Sequence, residues 1–167
     1  MDLNIAARTS EFGIRFAVPE DTSVILSFIK GLAEYERMLD EVIAPEALLR
    51  EWIFEKQKAE VLIGELKGGQ PIAFALFFHN FSTFNGRAGI YLEDLYVLPA
   101  YRQKGFGKDM LRALARITVD RGCCRLEWSC LDWNESSLAF YKSLGAVPMN
   151  EWTTHRLTGD TLFSLAK

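Results

Sequence analysis

The segment Arg102-Gln103-Lys104-Gly105-Phe106-Gly107-Lys108 joins an apolar run ending at Val97-Leu98-Pro99 to a strongly periodic helix. Two glycines and three cations in a strand-to-helix turn place free backbone N–H groups at a helix N-terminus. That arrangement binds an anion, most often a phosphate or pyrophosphate. A Walker-type nucleotide loop would need a glycine where Arg102 stands and a Ser or Thr where Asp109 stands. A dinucleotide fingerprint fails as well, because Met110 occupies the place of its third glycine. Two further sets of residues could do chemistry. Glu93 and Asp94 interrupt an otherwise apolar strand pattern from Gly89 to Leu98, and Asn134 and Tyr141 stand seven residues apart, on one helix face two turns from each other.

The bulk of the chain narrows the partners. At 167 residues it suits one domain with one core, and 49% hydrophobic with 25% charged residues is the balance of an ordinary globular protein. A net charge of −3 weighs against nucleic acid and slightly favours a cationic substrate. The three cysteines, Cys123, Cys124 and Cys130, form no Cys-x-x-Cys pair, and two histidines give little metal-binding capacity, so no metal is expected. The cysteine usage, the missing signal-peptide pattern and the lack of a long apolar run lead to a cytoplasmic protein with no membrane contact. Residues 1–11 read as an N-terminal extension and 12–167 as the folded domain.

The elements that must position these groups follow from periodicity. Phe12–Val18 alternates as a strand, and Pro19-Glu20-Asp21 opens a helix through Val24, Ile25, Phe28, Ile29 and Leu32, with Tyr35 and Glu36 at its end. Pro45 starts a second helix through Leu48, Leu49, Trp52 and Ile53. Val61–Leu66 and Ile72–Phe78 are strands around the Lys67-Gly68-Gly69-Gln70 hairpin loop, and Gly89–Leu98 is a long strand. The helix after Gly105 stops at Arg121-Gly122, and Leu126–Leu131 is a strand. Asn134 caps a helix through Leu138, Tyr141 and Leu144, and strands are expected at Ala146-Val147 and Trp152–Leu157. The order implies one α/β domain around a mixed sheet of about six or seven strands.

Arg102-Gln103-Lys104-Gly105-Phe106-Gly107 matches the acetyl-CoA loop of the GNAT superfamily of N-acetyltransferases, whose signature is Arg or Gln, two residues, Gly, one residue, then Gly or Ala. Asn134-Glu135-Ser136-Ser137-Leu138-Ala139-Phe140-Tyr141-Lys142-Ser143-Leu144-Gly145-Ala146 resembles the second CoA-side motif of that family. The resemblance covers roughly residues 12–160. It implies helices on both sheet faces and a V-shaped splay between the two central parallel strands. The donor pyrophosphate would lie on the N–H groups of the Arg102–Lys108 loop, and its pantetheine arm beside Leu95, Tyr96 and Val97. Asn134 would bond that arm, and Tyr141 would protonate the departing thiolate.

Tyr91-Leu92-Glu93-Asp94-Leu95-Tyr96-Val97, Leu32-Ala33-Glu34-Tyr35-Glu36, Ser82-Thr83-Phe84-Asn85-Gly86-Arg87 and Leu131-Asp132-Trp133-Asn134 are similar to the diamine branch, the spermidine/spermine and thialysine acetyltransferases. A lysine-like amine is unprotonated in roughly one molecule in two thousand at pH 7, a cost of about 4–5 kcal/mol, so the site must both gather a cation and remove a proton. In this branch the residue matching Glu93 draws the proton through water. Tyr35, Glu36, Phe84, Asp94 and Trp152 fall where the acceptor binds. Adjacent strand residues point to opposite faces, so Glu93 and Asp94 can serve one site only across a β-bulge. The family often forms homodimers, and one is expected here. Other readings are a GNAT enzyme for an amino acid, an antibiotic or a protein N-terminus, a non-catalytic acyl-CoA-binding module, and a ping-pong route through Cys130.

Overall fold

The computed structural model describes residues 11–167; the expected extension lies almost wholly outside the described residues. The chain forms two units, one ending at Ser129 and one running from Cys130 to Lys167. In the first, β1 (Phe12–Phe16) leads through a 3-10 turn to α1 (Thr22–Tyr35). Next come α2 (Glu46–Arg50), which widens into a π turn over Glu51–Glu55, and the strands β2 (Glu60–Leu66), β3 (Gln70–Ser82) and β4 (Arg87–Val97). The unit closes with α3 (Phe106–Asp120) and β5 (Leu126–Trp128). The sheet keeps sequence order, β1-β2-β3-β4-β5, antiparallel throughout except for the parallel β4–β5 pair.

The register divides the side chains between two faces. Ile63 opposes Phe74, and Phe74 opposes Tyr96. This row is sealed by Ile25 and Phe28 of α1, with the Phe28 and Phe74 rings stacked at 5.4 Å. Tyr96 supports α1 directly: a Cβ at Gly31 would stand 2.7 Å from the Tyr96 hydroxyl. The glycine lets the helix lie close on the sheet. On the opposite face Leu62 opposes Ala75 and Gly64 opposes Ala73, and the glycine and two alanines leave room for α3. A Cβ at Gly64 would come within 3.0 Å of the Met110 sulfur. Phe106 packs its ring on Phe12 at 4.6 Å and pins the start of α3 over β1. Helices therefore cover both faces, as expected.

The second unit contains α4 (Glu135–Ser143) and α5 (Gly159–Leu165). Here the sequence reading needs correcting. The sheet has five strands among the described residues, not six or seven, and neither Ala146-Val147 nor Trp152–Leu157 is a strand. β-Branched and aromatic residues favour extended backbone, but a strand exists only where a neighbour completes its ladder. Residues 152–157 are exposed and have no ladder partner in the described chain. The strand expected over Leu126–Leu131 likewise stops at Trp128. Among the described residues no helix is long and apolar enough to cross a membrane.

Candidate active site

The turn after β4 folds as an anion cradle. Gln103 and Gly105 both take left-handed backbone, at φ 61° and 92°. For Gln103 this conformation is uncommon and costs of order 1 kcal/mol or more, the kind of local strain that gathers at binding loops. Gly105 is the N-cap of α3 and offers no side-chain cap, and Asp109 N–H makes the bond back to Gly105 O. The N–H groups of Phe106, Gly107 and Lys108 thus begin the helix without intrahelical acceptors. Gly107 has ordinary helical backbone and room for a methyl group: a Cβ there would stand 3.8 Å from its nearest neighbour, Val97 Cγ2. This accords with a signature that accepts Gly or Ala there.

The side chains of the cradle do not all point where their types suggest. Lys104 Nζ folds back on Ala100 O at 3.1 Å. Phe106 is committed to Phe12. Arg102 turns inward: its guanidinium lies 4.6 Å from the Tyr35 ring and 5.2 Å from the Tyr96 ring, and its Nε donates to Val97 O at 2.9 Å. Any direct hold of this loop on a diphosphate falls mainly to its backbone, with Lys108 beside it.

The edge of β4 beyond the cradle suits an extended ligand. β5 pairs only with Ile90, Tyr91 and Leu92, while β4 runs on to Val97. Leu98 N–H donates to Ile72 O, so backbone alternation turns Tyr96 toward β3 and Leu95 and Val97 toward the open side. Of the three residues expected along the pantetheine arm, Leu95 and Val97 present main-chain groups to that edge. Tyr96 is a buried wall beneath it.

The carboxylates expected on the acceptor side meet at a bulge. Phe77 opposes Leu92 and Leu76 opposes Asp94, which leaves Glu93 as the extra residue. Before it, Leu92 shares the α3 face with Phe77. After it, Asp94 shares the α1 face with Leu76, Phe74 and Tyr96. Glu93, next to Leu92, faces the α1 side too, so the two carboxylates that strict alternation would separate now lie together. Burial raises the Asp94 pKa to about 6, helped by the charges of Glu93 and of Glu36. Glu36 caps the C-terminus of α1, and partial burial raises its pKa as well. Three carboxylates, one of them poised near neutrality, make a ledge that welcomes a cation and can take up a proton.

The remaining predicted residues sit apart from this ledge or in the second unit. Phe84 is 96% exposed at the β3–β4 hairpin tip, and strand rise puts it ~20 Å along β4 from the bulge. The first unit does not bring it to the carboxylates. In the second unit Asn134 caps α4, its Oδ1 accepting from Ser137 N–H at 3.2 Å, and Tyr141 lies two turns on with its ring 5.4 Å from Phe140. Trp152 of that unit is largely exposed. The sequence reading missed the Arg102 stack over Tyr35 and Tyr96; no local pattern in the sequence announces it. Among the described residues no three His, Cys, Asp or Glu side chains, the ledge included, are arranged so that they could hold a metal ion.

A turn with free N–H groups at one end of an open strand edge and an acidic ledge along it have the parts to seat a long diphosphate-bearing donor beside a cation. The chain belongs to the acetyltransferase (GNAT) family, whose profile matches residues 28–146, and it is an acetyl-CoA-dependent N-acetyltransferase. It is 37% identical over 164 residues to the thialysine N-epsilon-acetyltransferase of Bos taurus, covering 92% of this chain and 96% of that protein. It is 32% identical over 165 residues to the human spermidine/spermine N(1)-acetyltransferase-like protein 1, covering 93% of this chain and 24% of that protein. Among solved structures, an integron cassette protein from the mobile metagenome of V. cholerae superimposes with a TM-score of 0.79 at 25% identity, over 95% of this chain and 99% of that one.

Proposed function

We propose that this enzyme acetylates the primary amine of a small cationic substrate of the diamine, polyamine or thialysine type, by direct attack within a ternary complex. The bulge at Glu93 carries the reading, because it sets Glu93 beside Asp94 next to the open edge of β4, where the charge of Glu36 also reaches Asp94. Asp94 and Glu36 bind the ammonium, with Tyr35 beside Glu36 at the end of α1 shaping the acceptor site. Glu93 takes the proton through a water, leaving the amine lone pair free to attack the acetyl carbonyl. An N–H of Leu95 or Val97 polarises that carbonyl as negative charge builds on its oxygen. The C–N bond forms, the C–S bond breaks, and Tyr141 gives its proton to the departing thiolate. Asn134 and the Gln103–Lys108 backbone hold the donor. The same family resemblance supports a homodimer, and the composition supports a cytoplasmic location.

The test is free-thiol release from acetyl-CoA across thialysine, short diamines, spermidine, lysine, ornithine, aminoglycosides and peptides. The expected result is the highest kcat/KM among the diamine-like amines. Preference for a peptide or an aminoglycoside would overturn the substrate class. Acetyl-CoA binding without thiol release for any amine would leave only a binding module. Tyr141→Phe is expected to lower kcat about a hundredfold or more with little change in acetyl-CoA affinity. An unchanged kcat would remove Tyr141 from its role.

A further inference from the structure

Arg102 belongs by sequence to the donor cradle, yet its side chain leaves it. The guanidinium lies over the rings of both Tyr35, the last residue of α1, and Tyr96, at 4.6 and 5.2 Å. Its Nε donates to Val97 O, on the edge of β4 that faces the donor arm. The next residues, Gln103 to Gly105, are the left-handed turn of the cradle. On the other side of the stack, Tyr35 is bonded in sequence to Glu36, whose charge reaches Asp94. One side chain therefore touches the donor loop, the donor edge and the terminal turn of the helix that carries an acceptor carboxylate.

The chemistry of the contact is specific to arginine. A planar guanidinium can lie against aromatic faces and still aim an N–H at a carbonyl, whereas a lysine ammonium cannot do both. Anything that orders the cradle holds Arg102 in place, and Arg102 in place holds the end of α1. The converse follows from linkage, since a coupling between two ligands is the same in both directions.

Resting on the acetyl-transfer reading above, we propose that Arg102 is a positioning residue which locks the acetyl-CoA cradle to the C-terminal turn of α1, so that donor and acceptor each bind more tightly when the other is present. Its role is not to grip phosphate but to make the two halves of the site register with each other.

A double-mutant cycle on acetyl-CoA affinity tests this in the full-length protein, with thermal melts to confirm that each variant folds. Tyr35→Leu, on the acceptor helix, is expected to weaken acetyl-CoA binding about fivefold, as is Arg102→Gln. The double variant should be no weaker than about fivefold, because both remove the same link. Arg102→Lys should lose affinity as Arg102→Gln does. With thialysine as the amine, the wild type should bind acetyl-CoA several-fold more tightly in its presence, and Arg102→Gln should abolish that gain. The proposal is overturned if Tyr35→Leu leaves acetyl-CoA affinity within experimental error, or if the two losses multiply. It is also overturned if Arg102→Lys retains wild-type affinity, as a phosphate contact by charge would allow. Failure of the acetyl-transfer reading looks different: the wild type itself would then release no free thiol from acetyl-CoA with any amine, whatever its affinity for acetyl-CoA.

Discussion

The cradle at Gln103–Lys108 and the ledge at Glu93–Asp94 lie at opposite ends of the same stretch of chain and are made by opposite means. The cradle is backbone: two left-handed residues and a helix start, with Arg102 and Phe106 employed elsewhere. The ledge is side chains: carboxylates from two elements, assembled by one extra residue in a strand. A backbone site recognises what all its ligands share and tolerates most changes of side chain. A side-chain site can be retuned by a single substitution. The contrast explains why the donor is fixed by family membership while the acceptor has to be read residue by residue.

The sharpest way to break the contrast is at Glu93. Glu93→Gln keeps the bulge and removes the proton acceptor, so kcat/KM for the amine should fall about 10²–10³-fold while acetyl-CoA affinity stays within about twofold. Steady-state kinetics beside equilibrium binding would separate the two. If donor binding fell equally, ledge and cradle would not be distinct sites.

Gly105→Val tests the other side. A β-branched residue at φ 92° is strained by about 1–2 kcal/mol or more, so acetyl-CoA affinity should drop about tenfold. Calorimetric titration with acetyl-CoA and with CoA alone should show the same loss for both, because the cradle reads the diphosphate and not the acetyl group.

The smallest effect is expected at Asp94, and it depends on pH. With a pKa of about 6, Asp94 is mostly neutral below that pH and anionic above it. Amine kcat/KM should therefore rise through pH 6, and Asp94→Asn should erase this step with roughly a threefold rise in the amine KM at pH 8. Stability runs the other way. A folded-state pKa above the unfolded value of 3.8 means that the stability contributed by the protonated acid is fully present below 3.8 and is lost as pH rises through 6. Asp94→Asn should raise Tm at pH 8 and leave it little changed at pH 4. A Tm gain at both values would point to packing instead of charge.

Local signals in the sequence located the helices expected to carry the donor. Glycine spacing and helical periodicity place the start of α3 at Gly105-Phe106, where the structure has it, and Asn134 caps α4 as its residue type suggests. The acceptor side was legible only in its residues. Whether Glu93 and Asp94 share a face depends on which residues of β3 they oppose, and register is a property of two strands, not of one. The Arg102 stack was hidden for a similar reason: Tyr35, Tyr96 and Arg102 meet through the packing of α1 on the sheet. At the C-terminal end, favourable strand composition at Trp152–Leu157 misled, because composition cannot supply a ladder partner.

Gly31 shows how far such packing reaches. A glycine inside a helix costs roughly 0.5–1 kcal/mol relative to alanine, so a propensity scale would call its replacement an improvement. Yet it sits on the Tyr96 hydroxyl, and one methyl group there would have to displace either that ring or the second half of α1, at whose end Tyr35 and Glu36 stand. In the acceptor site proposed above, the clearance between a helix and a tyrosine sets the height of the residues that meet the amine, and the chain gives up helix stability to keep it.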